Sequence, residues 1–394
     1  MIKNTDKTNE NMLFIFKDDY VMLLVKKGRR ISRAGGARSG KGKGRWFRSG
    51  RKRGRNMTGV YIALGIIALL IVGGVLYFLC SPMPVVRLIR RGDHFPVTYP
   101  AGYDSVKARV EIRRDLVYPS RYPKNRYDLY VPRAQGTYPL ILWVHGGSFV
   151  AGDKESMENW GVMLAGNGYA AALINYERAP EQPYPAQLVQ ITEAFQAIEA
   201  YAAEHGNIDM GRVVIAGDSA GAHMASQFAL LQTNANFAQR LGIRSPLAPD
   251  ALKCALLYCG PFDLQRMLNA DSRLLRFFVG RIGWCYLGSR RWRRSPLLDT
   301  LSTAEWITRD YVPSYITDGN TGSFERHGRD LAAALKKAGV AVRERYFDKE
   351  KYGAVGHGYE VQLETEPAAL CLKDTLEFLE EHLNEKSSTG KETL

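Results

Sequence analysis

Residues 59–80 run for 22 positions without a charged side chain, GVYIALGIIALLIVGGVLYFLC, and no other stretch limits the possible folds as much. At ~1.5 Å per residue, a helix of that length covers about 33 Å, enough for the ~30 Å hydrocarbon core of a bilayer. A buried helix of a soluble domain is rarely so long or so uninterrupted, and the flanking residues decide between the two. Residues 26–55 hold fourteen Lys and Arg and no Asp or Glu. Positive charge just before an apolar helix keeps that side in the cytoplasm. The expectation is therefore a single-pass signal anchor at 57–80, with a cytoplasmic N-terminus and an extracytoplasmic remainder. A cleaved signal peptide has a shorter apolar core of ~7–15 residues and small residues at its cut site. Here Tyr77, Phe78 and Leu79 occupy that place.

The whole chain carries 54 Lys and Arg against 40 Asp and Glu, and the excess lies entirely within residues 26–55. The folded part is thus neutral overall and has no electrostatic reason to bind nucleic acid. Residues 1–55 are expected to be a disordered cytoplasmic tail, because the basic run is rich in Gly and Ser and cannot build a core. Its segment 26–55 is expected to rest on anionic lipid headgroups; Trp46 and Phe47 among the charges leave an RNA-binding tail as the sharper alternative. The cysteines, Cys80, Cys254, Cys259, Cys285 and Cys371, form no C-x-x-C and no zinc-like spacing with His. They are expected to be small hydrophobes, and neither a metal nor a cofactor is expected.

After a linker at 81–104, residues 105–385 alternate strand and helix, and 386–394 form a disordered tail. Predicted strands lie at 108–112, 127–131, 140–144, 170–174, 213–216, 255–259, 314–317 and 342–347. Predicted helices lie at 157–165, 186–204, 220–231, 324–337 and 367–383. Short apolar runs bounded by Gly, as at 140–144 and 213–216, are what fully buried parallel strands require. Two hairpin-like strands followed by this alternation predict an α/β class: a mostly parallel central sheet flanked by helices. Residues 261–310 break the rhythm. They are too long for a crossover, rich in Leu, Phe, Trp and Arg, and predict a helical cap insertion.

Three places carry chemistry. Gly217, Asp218, Ser219, Ala220 and Gly221 follow the run RVVIAG and open a helix, the strand–turn–helix setting that gives G-x-S-x-G its meaning. Such a turn holds a serine hydroxyl above the sheet, with the helix N-terminus beneath developing negative charge. His145, Gly146, Gly147, Ser148 and Phe149 follow the run LILWV. A glycine-rich loop there can offer backbone N–H groups to an oxyanion, and the expected donors are Gly147, Ser148 and Ala220; the alternative is only a tight turn. His357 occupies a glycine-flanked loop late in the chain, where a base can reach Ser219. His327 and His382 are expected to be surface residues.

With Tyr176–Ala186 (YERAPEQPYPA), which is similar to the Y-R-L-A-P-E-x-x-x-P-A segment, these motifs give the chain a resemblance. From about 110 to 383 it resembles an α/β-hydrolase of the hormone-sensitive-lipase-like and carboxylesterase branch. The resemblance implies an α/β-hydrolase fold, chain order Ser, acid, His, no metal, and hydrolysis of small-molecule carboxylic esters through an acyl-enzyme. The sequence departs from the family at the acid. Where members show Gly-x-x-Asp-Pro-Leu, this chain has Gly319-Asn320-Thr321-Gly322. Asp318 is the first candidate, Glu325 the second and Asp263 the third. Two other functions stay open: an amidase or peptidase using the same residues, and a weakened hydrolase domain serving as a surface binding module.

Overall fold

The central strands are apolar on both faces, so each must be covered twice. In β3 (Tyr138–Val144), Leu140, Leu142 and Val144 join one buried cluster while Ile141 and Trp143 join the other. β5 (Ile208–Asp218) divides in the same way, Val213 and Ile215 from Val214 and Ala216. This period of two places a hydrophobic layer above and below the sheet.

The computed structural model describes residues 57–92, 96–269 and 273–383, together with two paired strands, Phe14–Lys17 and Tyr20–Leu23. Apart from those two strands, residues 1–55, with the basic segment 26–55, lie outside the described residues, as do 386–394. The remaining sheet strands are β1 (Val110–Val117), β2 (Arg126–Pro132), β4 (Ala170–Ile174), β6 (Leu252–Tyr258), β7 (Ser314–Asp318) and β8 (Val342–Tyr346). Their spatial order is β1-β2-β4-β3-β5-β6-β7-β8. β2 runs antiparallel to β1 and β4, and every other pair is parallel. Each of the eight strands overlaps a predicted one, with several ends extended and three shortened by one or two residues.

Parallel register brings the C-terminal ends of the strands together. Val144 pairs with Gly217, Asp218 with Tyr258, and Tyr258 with Thr317. The loops after β3, β5, β6 and β7 therefore open on one edge, where ligand sites of such sheets lie.

Helix α1 (Met57–Cys80) is long and apolar enough to cross a membrane, and its span Thr58–Cys80 is exposed throughout. α2 (Met83–Gly92) follows at once, within the stretch expected to be a linker. Val85 and Val86 are buried beneath it, and Arg90 reaches Glu181 and the carbonyls of Val150 and Ala179. The segment Met83–Gly92 is thus a helix packed on the domain that follows. Its apolar and basic residues fall on opposite faces at helical spacing, but three arginines in ten residues make the segment resemble a polar spacer by composition. The cap insertion holds α3 (Arg273–Tyr286) and several single 3₁₀ turns.

Candidate active site

β5 ends at Asp218 and a helix, Ala220–Thr233, starts at Ala220, so Ser219 must reverse the chain alone. It does so at φ 51° and ψ −119°, a backbone region that costs a non-glycine residue of order 1–3 kcal/mol. Two features hold it there. The Ser219 N–H donates to the Tyr258 carbonyl at 2.8 Å. Gly217 and Gly221 face each other so closely that a Cβ on Gly217 would lie 2.5 Å from the Gly221 backbone. The motif spacing is thus a packing requirement.

The loop after β3 is tied to this elbow by Asp218. Its carboxylate accepts the Gly146 N–H and the Trp143 indole N–H, both at 3.0 Å. Tyr176 donates its hydroxyl to the His145 carbonyl at 2.8 Å, and its ring stacks on the His145 imidazole. His145 is buried, and its imidazole is held down at about 4 by that burial. It braces the loop through Nδ1 and the Gly146 carbonyl, 2.6 Å apart. Gly147, Ser148 and Phe149 then take positive φ, turning successive peptide groups. Among the described residues, nothing accepts the N–H groups of Gly147, Ser148 or Ala220.

His357 enters from the loop after β8. Its Nε2 lies 2.9 Å from Ser219 Oγ and its Nδ1 lies 2.8 Å from Ser323 Oγ. Ser323 in turn donates to Asp318 Oδ1 in a short hydrogen bond. Asp318 is buried at the end of β7 and does not bond to the imidazole directly; Ser323 stands between them. Desolvation pushes the Asp318 carboxyl up to about 7 and holds the His357 imidazole down at about 4. Asn320 locks the two loops together, donating to the carbonyls of Phe347 and Gly353 and accepting the Val355 N–H. Phe324 packs edge-on against the His357 ring.

The other acid candidates are elsewhere. Glu325 pairs with Arg329 in the same helix, Glu325–Lys337, and Asp263 accepts from Ser302 and the Arg266 N–H. Contrary to expectation, His327 is buried, where its Nδ1 accepts the Asp263 N–H at 3.2 Å. Its charged sequence neighbours point outward on a helix whose inner face carries Leu331 and Leu335. Sequence reasoning missed Ser323 and Asn320; the only signal was a run of polar residues around the place where the family carries its acid.

Cys259, Asp318 and His357 bring ligand-type atoms within 4.8 Å of one another. They suit a metal poorly. The Cys259 thiol is buried, keeps its proton, and donates it to Glu360.

An elbow serine, a glycine-rich loop and a late histidine at one edge of this sheet define the class as an α/β-hydrolase. The BD-FAE family model matches residues 127–325, half of the chain, and the chain belongs to that family. It is 37% identical over 241 residues to the esterase LipI of Mycobacterium tuberculosis, covering 59% of this chain and 70% of LipI. A carboxylic ester hydrolase of the same organism, LipM, is 27% identical over 254 residues, 57% of each chain. The fold matches the crystal structure of esterase B from Lactobacillus rhamnosis with a TM-score of 0.60 at 20% identity, over 71% of this chain and 91% of that one. The chain is accordingly a carboxylesterase-type hydrolase.

Proposed function

We propose that the chain is a membrane-anchored serine esterase that cleaves small-molecule carboxylic esters through an acyl-enzyme. The observation that carries this reading is the unbroken series of hydrogen bonds from Ser219 through His357 and Ser323 to Asp318. Its proton order is self-consistent: Ser323 gives its proton to Asp318 and accepts one from His357 Nδ1, leaving Nε2 as the acceptor for Ser219. Attack of Ser219 Oγ on the acyl carbon passes its proton to Nε2. The imidazolium so formed is stabilised by Asp318, whose charge is relayed by the Ser323 hydroxyl. Nε2 then returns the proton to the leaving alkoxide, and water completes the second half. The N–H groups of Gly147, Ser148 and Ala220 receive the oxyanion, and each such donor is worth about 10²–10³ in rate.

The names of the relatives support an ester as substrate. The basic residues before α1 support an anchor with its N-terminus in the cytoplasm and the hydrolase domain outside. A fluorophosphonate probe tests the chemistry: it should form one covalent adduct, on Ser219, and none on Ser219→Ala.

A further inference from the structure

From Arg273 to Arg294 the cap carries seven arginines and no carboxylate. Arg290, Arg291, Arg293 and Arg294 are exposed, and among the described residues none of these four has a carboxylate within ion-pair distance. They do not hang on a loose loop. Trp292 is buried beneath them and fits so closely against α3 that a Cβ on Gly283 would lie 2.5 Å from its ring. Arg293 crosses that ring and reaches toward Gly280.

The same stretch of α3 holds the end of the apolar helix. The Arg281 guanidinium donates to the Leu79 carbonyl at 2.5 Å, and Phe277 stacks on Phe78 with ring centroids 5.3 Å apart. Phe78 and Leu79 lie in the last turn of α1, so if α1 spans a bilayer, that turn sits at its surface. The arginine turn packs against α3 at Gly280 and Gly283, within about two helical turns, or ~11 Å, of that point. On α2, the next segment of chain, Arg87 and Arg91 are also exposed.

We infer that this arginine face of the cap is a docking surface for anionic phospholipid headgroups. Charge complementarity selects that occupant, because guanidinium groups fork onto phosphate oxygens and the apolar helix brings lipid to the site. The inference rests on the anchor reading above. Its consequence for the enzyme is positional. Tyr286, at the other end of α3, stacks on Phe149 of the HGGSF loop at 4.1 Å. Docking therefore sets the active-site edge beside the bilayer, where esters partitioned into lipid are concentrated.

The test uses the full-length chain in liposomes of phosphatidylcholine, with or without phosphatidylglycerol. Phenylglyoxal modification of the four arginines, read by mass spectrometry, should be severalfold slower with phosphatidylglycerol, and high salt should remove the protection. The variant R290Q/R291Q/R293Q/R294Q should lose the phosphatidylglycerol-dependent hydrolysis of a long-chain ester partitioned into the bilayer, yet keep wild-type turnover of a soluble acetate ester. Equal modification rates in the two liposomes would overturn the inference, as would failure of the wild-type chain to insert. A wild-type chain that is protected by lipid but inert on both esters would instead defeat the esterase reading and leave the surface standing.

Discussion

Ser323 is where this site departs from a direct acid–histidine contact. Its hydroxyl lies beside His357 Nδ1 and donates to Asp318, and in the proposed mechanism it passes the charge of Asp318 on to the ring. Ser323→Ala should therefore lower kcat on an activated ester by about 10², close to the loss expected for Asp318→Asn. Adding Ser323→Asp to Asp318→Asn, which sets one carboxylate directly against the ring, should restore most of the activity. Steady-state kinetics of the three variants checks this, and an unimpaired Ser323→Ala would remove Ser323 from the relay. Asp318 could be picked as the first candidate because it ends a predicted strand that precedes His357, whereas nothing in the sequence singled out Ser323. Gly322 at the acid's place, with a serine after it, looks like a lost catalytic group until the buried carboxylate behind Ser323 is seen.

Among the elements, α2 links the apolar helix α1 to the site. It buries Val85 and Val86, each worth about 1.5–3 kcal/mol when fully enclosed, and Arg90 grips the Val150 carbonyl next to the HGGSF loop. A chain beginning at residue 81 should therefore fold and turn over soluble esters. One beginning at residue 96 should melt markedly lower and lose most of its kcat. Thermal melts with parallel assays distinguish the outcomes; equal behaviour of the two would make α2 a passive spacer. The β strands were far easier to read than this helix. Runs such as LILWV and VVIA must be buried whatever surrounds them, while α2 shows its apolar face only through a few residues between arginines.

For the whole molecule, burial of titratable groups sets a pH optimum of stability. The imidazoles of His145, His327 and His357 are held down at about 4 and that of His223 at about 3, against an ordinary 6.5, by desolvation. Their contribution is complete above pH 6.5 and is lost as pH falls toward 4. The carboxyls of Asp318 and Glu360 are pushed up to about 7 and 8 by burial. Theirs is complete at acid pH and lost as pH rises through that range. Thermal stability should thus peak near neutrality and fall on both sides, whereas a Tm that climbs steadily to pH 9 would contradict the burial of these two acids. The strands, the elbow and the glycine-rich loop were all visible as local sequence patterns. The bonds of His357 to Ser323 and Ser219 and the cap's contact with α1 join residues 34 to 202 positions apart, and no local pattern records them.

The nucleophile is the claim on which the rest depends. The most direct measurement is turnover of a short p-nitrophenyl ester by purified wild-type protein and Ser219→Ala, with circular dichroism to show that both are folded. The wild type should hydrolyse the ester, and the variant should be slower by at least about 10³. A folded Ser219→Ala protein that keeps wild-type turnover would show that the elbow serine is not the nucleophile.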